Sequence, residues 1–279
     1  MNNSTFKFTT PESSTNFTTY SIRPLNHLEF CMYSISFLVG LPTHSYIIWL
    51  IITGTGSRIA SEFFMLNLSV CEIANALNCF FLVLSIWFSN FLILRMFLAG
   101  FAITGCPLFQ SVICVERYLA VVHPVTFLKF KPLRYRVIIS IVVWTITLGS
   151  CLCCIYILVL LNSTGYAWFF MLQFVFFLPI QLFCLVAVLI ALKQSGPGER
   201  GRERKQENHM KRRAFNLILI TTVNMVMLYV PILVSALFTN LTKVNIQGAW
   251  DLICYVLAGF VQPILYLHRS GKLPFLCSL

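Results

Sequence analysis

The sequence predicts an all-α membrane protein, a seven-transmembrane helix bundle with its N-terminus extracellular. Three observations predict it: more apolar side chain than a soluble core can hide, seven apolar runs long enough to cross a bilayer, and a one-sided distribution of Lys and Arg between those runs. The 279 residues are 58% hydrophobic and 10% charged, with a mean hydropathy of +0.82. One soluble core cannot cover that much apolar surface, so lipid must cover the rest.

A helix needs about 20 apolar residues to cross the hydrocarbon layer. Seven stretches qualify, at about 29–53, 61–86, 93–116, 137–161, 166–192, 214–238 and 248–267. Each is continuously apolar rather than alternating, which selects helices over barrel strands. The expected organisation is a glycosylated extracellular tail over 1–28, a seven-span domain over 29–267 and a short cytoplasmic tail over 268–279. The polar residues 1–28 contain no apolar run suited to a cleavable signal peptide, so the first span is expected to act as the targeting signal.

Orientation follows from the basic residues. Of the 20 Lys and Arg, sixteen lie on one side of the spans, from Arg58 through Arg117, Arg136 and the 193–213 segment to Lys272. Only Lys7, Arg23, Arg95 and Lys243 lie on the other. The positive-inside rule puts the richer side, and the C-terminus, in the cytosol. The net charge of +11 is therefore topological, and nucleic acid is not an expected partner. Glycosylation sequons test this independently: Asn2, Asn3, Asn16, Asn162 and Asn240 all fall on the external side. Asn67 also matches but lies inside the second span, out of reach of the modifying enzyme.

Most connections are short. The exception, 193–213, opens with the helix-breaking Ser195-Gly196-Pro197-Gly198 and continues as a basic run suited to anionic lipid or an acidic protein surface. Ten of the 11 Cys lie in apolar runs and read as buried small hydrophobes rather than a disulfide framework. The eleventh, Cys277, is juxtamembrane and a candidate for palmitoylation.

At the cytosolic end of span three the chain reads Glu116-Arg117-Tyr118-Leu119-Ala120-Val121-Val122-His123-Pro124. An acid–arginine pair at a membrane boundary is costly to bury and marks function. Span two carries Leu66-Asn67-Leu68-Ser69-Val70-Cys71-Glu72; Trp144 sits mid-span in four, Pro179 in five and Pro231 in six; span seven carries Gln262-Pro263-Ile264-Leu265-Tyr266. With Pro42, these prolines place bends in four helices. Together, from residue 40 to residue 266, these landmarks resemble the rhodopsin-like G-protein-coupled receptors. The wording around 124–136 and Phe176-Phe177-Leu178-Pro179 is most similar to the branch of nucleotide, protease-activated and lysolipid receptors.

The resemblance implies roles. Glu116, Arg117, Tyr118 and Pro124 would form the G-protein-coupling end, with Arg117 held by Glu116 at rest and turned toward a heterotrimeric G protein when active. Glu72, Cys106, Tyr229, Pro231, Gln262, Pro263 and Tyr266 would form the activation switch. Glu72, Cys106 and Gln262 stand where relatives carry the Asp, Ser and Asn of a mid-membrane sodium site, making Glu72 a position for a cation or a proton. His44 replaces an Asn and would point toward Glu72, either as a merely hydrogen-bonded His or as one half of a pH-sensitive pair. Asn75 and Asn78 are expected to bond between helices.

The sequence also departs from the family pattern. No Cys is present around Leu92 or at 162–168, so the disulfide usual in the family is missing and a looser outer face is expected. Ala187 replaces a Tyr that steadies the active state, Tyr229 replaces a Trp, and Lys211 cannot supply an acid to Arg117.

By alignment on Arg117 and Pro231, the outer cavity would be lined by Arg95, Met96, Ala99, Gly100, Ile103, Ile232, Leu233, Ala236 and Leu252, with Val175 nearby. The lining is almost wholly apolar, which favours a lipid-like or other apolar small ligand, with a peptide second. Arg95 and Asp251 are the charged candidates and are also placed to pair with each other. Phe169, Phe170, Phe174, Phe176 and Phe177 are read as lipid-facing bulk. A transporter would string ionisable residues through several spans or show an internal repeat, and neither is seen. A receptor fold that has lost coupling is the remaining alternative. No metal-ligand spacing, nucleophile–base pair or phosphate loop is found, so no enzyme activity, cofactor or metal is expected.

Overall fold

The computed structural model describes residues 27–54, 62–130, 132–159, 163–194, 202–242 and 249–269. They form seven long helices: α1 (His27–Ile52), α2 (Phe63–Leu84), α3 (Leu92–Val122), α4 (Leu133–Val159), α5 (Ser163–Gln194), α6 (Arg202–Thr242) and α7 (Ala249–Arg269). A short helix, Pro124–Phe130, joins α3 to α4. Among the described residues there is no strand. Six helices are long and apolar enough to cross a membrane, and α7 contributes the shorter apolar stretch Leu252–Leu267. In lipid a backbone must satisfy its own hydrogen bonds, and these helices do so internally.

The helix ends show one clear departure from expectation. The charged 193–213 segment is not wholly a loop, because α6 runs from Arg202 as a helix of 41 residues. That is about 60 Å at 1.5 Å per residue, twice the ~30 Å hydrocarbon layer, and its apolar part is confined to Ala214–Ser235. The extension lacks Gly and Pro after Gly201 and is rich in Glu, Lys, Arg and Gln, all strong helix formers. The same helix ends beyond Asn240, which therefore lies in a last helical turn rather than in a loop. The proposed break at 195–198, the N-terminal sequons, Asn162 and Cys277 lie outside the described residues.

The helix at the centre is α3, which packs against α2, α4, α5 and α6, while α1 packs on α2 and α7. Phe101, Phe109, Leu68, Val143 and Cys151 form one core among α2, α3 and α4. Ala99, Ile103, Phe170, Phe177, Met225 and Tyr229 form a second among α3, α5 and α6. The outward faces are apolar as well, as lipid requires: Trp49, Leu152, Leu172 and Phe183 are each more than half exposed.

Small residues bring α3 and α4 together. A Cβ added to Gly100 would lie 2.6 Å from Cys151 Cα, and one added to Gly105 would lie 3.0 Å from Thr147 Cγ2. Between them Thr104 and Ser150 share a hydroxyl–hydroxyl bond of 2.5 Å. Trp144 Nε1 donates to Asn67 Oδ1 at 2.8 Å, linking α4 to α2 and occupying the asparagine of the intramembrane sequon. The ten described cysteines are free thiols. Seven are buried as expected, whereas Cys31 and Cys153 are exposed and Cys254 is half-buried. A thiol is apolar enough to face lipid, so an apolar run does not by itself place a Cys inside the bundle.

Gly100→Ala is expected to lower the melting temperature of the detergent-solubilised protein, because its Cβ meets backbone rather than a movable side chain. The cost is about 1–3 kcal/mol or more. Gly149→Ala, which meets nothing within 4 Å, is expected to be neutral or to gain up to about 1 kcal/mol from helix propensity. Equal melting shifts for the two would contradict this packing.

Candidate functional site

Three polar groupings lie one above another in the apolar bundle. The uppermost is set by a helix irregularity: α3 is α-helical over Leu92–Gly100, makes a π-helical turn over Phe101–Gly105, and resumes as an α-helix from Cys106. Pro107 follows two residues after the turn and has no N–H. The α-helical donor to the Ile103 carbonyl would be residue 107, so that carbonyl lacks its usual partner. Tyr229 of α6 supplies another, its hydroxyl donating to Ile103 O at 2.6 Å. The Tyr229 ring is fully buried, stacked on Phe170 and Phe174 with centroids 4.5 and 5.5 Å away.

This corrects two expectations about α5 and the outer cavity. The α5 aromatics are not uniformly lipid-facing: Phe170 and Phe177 are buried in the bundle, Phe169 and Phe174 pack beside them, and Phe176 faces out. The expected cavity lining divides too. Ala99 and Ile103 are buried against Tyr229, with Ile232 and Leu233 packed on the same cluster. Gly100 instead faces Cys151 of α4, and Val175 is 56% exposed. Arg95 and Met96 are half-buried and Leu252 is buried. The side chains of Ala236 and Asp251 lie outside the described residues, as does that of Gln262.

The middle grouping surrounds Glu72, which is 8% exposed. It is hydrogen-bonded by the Cys106 thiol and by Asn75 Nδ2, the latter at 3.4 Å. Tyr255 of α7 donates to Asn75 Oδ1 at 2.5 Å, which leaves its oxygen to accept from Cys79, 3.2 Å away. A cavity of about 30 Å³ adjoins them, lined also by Ser36 and His44. His44 and Glu72 share this wall, but among the described residues they do not pair: Glu72 bonds Asn75 and Cys106, and His44 Nδ1 is buried with no hydrogen-bond partner. Asn75 bridges α2 to α7 as expected, whereas Asn78 Oδ1 is buried without a partner among the described residues.

At the cytosolic level, Glu116 and Arg117 are not paired with each other. Glu116 Oε1 lies 2.5 Å from Arg136 Nη2 of α4, with the Arg136 and Glu116 side chains 6% and 10% exposed. Adjacent residues on a helix do not face one another, whereas Arg136 meets the carboxylate across the helix contact. Arg117 Nε is buried with no hydrogen-bond partner among the described residues. Tyr118 bonds His123 Nε2 through its hydroxyl at 3.0 Å, just before Pro124 opens the short helix. Tyr266 of α7 is buried against Ile47, Leu50 and Ile51 and donates to Glu62 Oε2 at 2.7 Å, at the start of α2. Pro231 and Pro263 lie inside α6 and α7.

Sequence reasoning did not single out Tyr255, Glu62 or Pro107, nor the pairing role of Arg136. Of these, Pro107 alone carried a local signal, the missing donor four residues after Ile103. The others depend on which helices meet.

A seven-helix bundle of this kind, with Glu116-Arg117-Tyr118 at the inner end of its central helix, is the architecture of a seven-transmembrane receptor. Residues 44–266 match the family described as 7 transmembrane receptor (rhodopsin family), and the chain belongs to that family. It is accordingly a multi-pass protein of the plasma membrane. It is 24% identical over 276 residues to hydroxycarboxylic acid receptor 2 of Rattus norvegicus, covering 86% of this chain and 74% of the relative. It is 27% identical over 191 residues to human chemokine XC receptor 1, covering 61% of this chain and 56% of that receptor. With somatostatin receptor type 1 of Rattus norvegicus it shares 29% identity over 126 residues, or 42% of this chain and 32% of the relative.

Tyr229→Phe is expected to leave the Ile103 carbonyl buried and unsatisfied, at a cost of about 1–3 kcal/mol. In a Pro107→Ala background, where residue 107 regains its N–H, the same change should cost less. Thermal unfolding of the four variants checks this, and equal costs in both backgrounds would refute the assignment of the free carbonyl.

Proposed function

We propose that this receptor transmits the binding of an extracellular apolar or lipid-like small molecule to a heterotrimeric G protein. The observation that carries the coupling half is Arg117, a half-buried cation at the cytosolic end of the central helix whose Nε is buried and has no hydrogen-bond partner among the described residues. Such a group is costly to bury, and an acceptor on a docking protein would relieve that cost. The ligand half rests on the apolar surroundings of Ala99, Ile103, Ile232 and Leu233 above Tyr229. Arg95 is the charged group nearest the outer end of that helix. One relative is named for hydroxycarboxylic acids, and an apolar ligand carrying a carboxylate would suit Arg95 above that lining. A peptide read by the external loops is the second ligand class. Placement in the nucleotide, protease-activated and lysolipid branch rests on the wording at 124–136 and 176–179 alone.

A second reading, a receptor fold that signals weakly or not at all, is favoured by Ala187 and Lys211, which remove an aromatic and an acidic partner from the inner end of the bundle.

Basal G-protein activation in cells expressing wild type and Arg117→Ala at matched surface level, across inhibitory, stimulatory and phospholipase-coupled types, separates the readings. Activity that falls several-fold in the variant is the expected result and names the pathway. Equal silence in both favours the non-signalling reading. Arg95→Gln is expected to leave that basal signal unchanged while weakening activation by carboxylate-bearing lipids.

A further inference from the structure

We propose that Arg136 is the positioning residue for Arg117: it captures the Glu116 carboxylate across the α3–α4 contact and so keeps Arg117 available to a cytosolic partner. This rests on the coupling role proposed for Arg117.

The geometry is that of a committed pair. The two side chains are almost fully withdrawn from solvent and 2.5 Å apart, and the Arg136 guanidinium also lies over the Phe64 ring, 6.0 Å from its centroid. A buried carboxylate cannot leave such a pair cheaply, because its separation would strand two desolvated charges. Arg117 therefore sits one residue from an acid whose nearest strong partner is another cation. Neither Tyr118 nor Lys211 replaces that acid. Tyr118 is bonded to His123 and packs on Phe183, and Lys211 at the inner end of α6 carries the same sign of charge. Arg117 Nε has no acceptor among the described residues, and a backbone carbonyl or carboxylate of a docked protein would supply one.

Arg136 is placed to do this by the fold rather than by its local sequence. It lies in the first turn of α4, and α4 is registered on α3 by the close approaches at Gly100 and Gly105. The same register brings Trp144 to Asn67. Removing Arg136 frees the Glu116 carboxylate, whose chain neighbour is Arg117; the two side chains leave the helix in different directions, so their pairing requires Glu116 to swing out of the α4 contact, and an arginine so occupied is withdrawn from any partner.

The test is a three-residue cycle on the purified full-length receptor, using thermal unfolding of Glu116→Gln, Arg117→Gln, Arg136→Gln and their combinations. Glu116 and Arg136 are expected to be non-additive, with each single change lowering the melting temperature by several degrees and the double change costing little more. Glu116 and Arg117 are expected to be additive while Arg136 is present and coupled once it is Gln. Additivity of Glu116 with Arg136, or coupling of Glu116 to Arg117 in the presence of Arg136, would overturn the proposal. This readout needs no G protein, so it decides the matter even if the receptor proves silent.

Basal signalling at matched surface level supplies the functional arm. Arg136→Gln is expected to lower activity several-fold, Arg136→Lys to retain most of it, and Glu116→Gln with Arg136→Gln to restore it. The neutral pair strands no buried charge at the α3–α4 contact, so its folding is the less perturbed comparison. A merely structural Arg136 predicts that the neutral pair stays as low as Arg136→Gln, and that outcome would overturn the positioning role. Wild-type activity that does not depend on Arg117 would count against the coupling reading instead.

Discussion

The approach of α3 to α4 through Gly100 and Gly105 is the contact on which the rest of the bundle depends. At Gly100 the facing atoms belong to the Cys151 backbone, so the two helices are held at a distance only a glycine permits. In lipid there is no hydrophobic drive between helices, and close van der Waals packing with buried hydrogen bonds takes its place. The Thr104–Ser150 bond lies between the two glycines and fixes the register as well as the separation. That register carries Trp144 to Asn67 at one depth and Arg136 to Glu116 at another.

The polar groupings follow from the requirement that a backbone or charged group inside the membrane find a partner. Pro107 removes one donor from α3, and a hydroxyl from α6 replaces it. The exchange makes Tyr229 both the floor of the apolar outer cluster and a bond to the central helix, so a displacement of one is felt by the other. Glu72, Asn75 and Tyr255 meet the same requirement between α2 and α7, and Tyr266 with Glu62 meets it nearer the cytosol. Each joins two helices through a polar contact in otherwise apolar surroundings, where a contact is either made or lost. That two-sidedness suits a receptor that must occupy more than one state.

The cytosolic end shows why a motif and its geometry are different kinds of information. Glu116-Arg117-Tyr118 is legible in the chain, and the resemblance assigned Glu116 to hold Arg117. The carboxylate instead faces α4, since consecutive helical residues diverge and a cation from another helix meets it more directly. The same limit appears at Gly100 and Val175, assigned to a cavity by alignment but turned by helix rotation toward α4 and lipid. His44 and Glu72 do share a cavity wall, as their positions suggested, yet Glu72 bonds Asn75 and Cys106 while His44 Nδ1 has no partner among the described residues.

What the sequence determined by itself is everything set by composition along one helix: the apolar runs, their orientation by basic residues, the proline positions inside α1, α5, α6 and α7, and the family motifs. Those properties depend on residues close together in the chain and on a bilayer that sorts them by polarity. Only the tertiary structure decided which acid meets which base, which carbonyl receives the Tyr229 hydroxyl, which phenylalanines of α5 turn inward, and how far α6 extends as a charged helix. In an all-apolar bundle both faces of a helix read alike, so rotation and register are fixed by a few small and polar residues whose partners lie tens or hundreds of residues away.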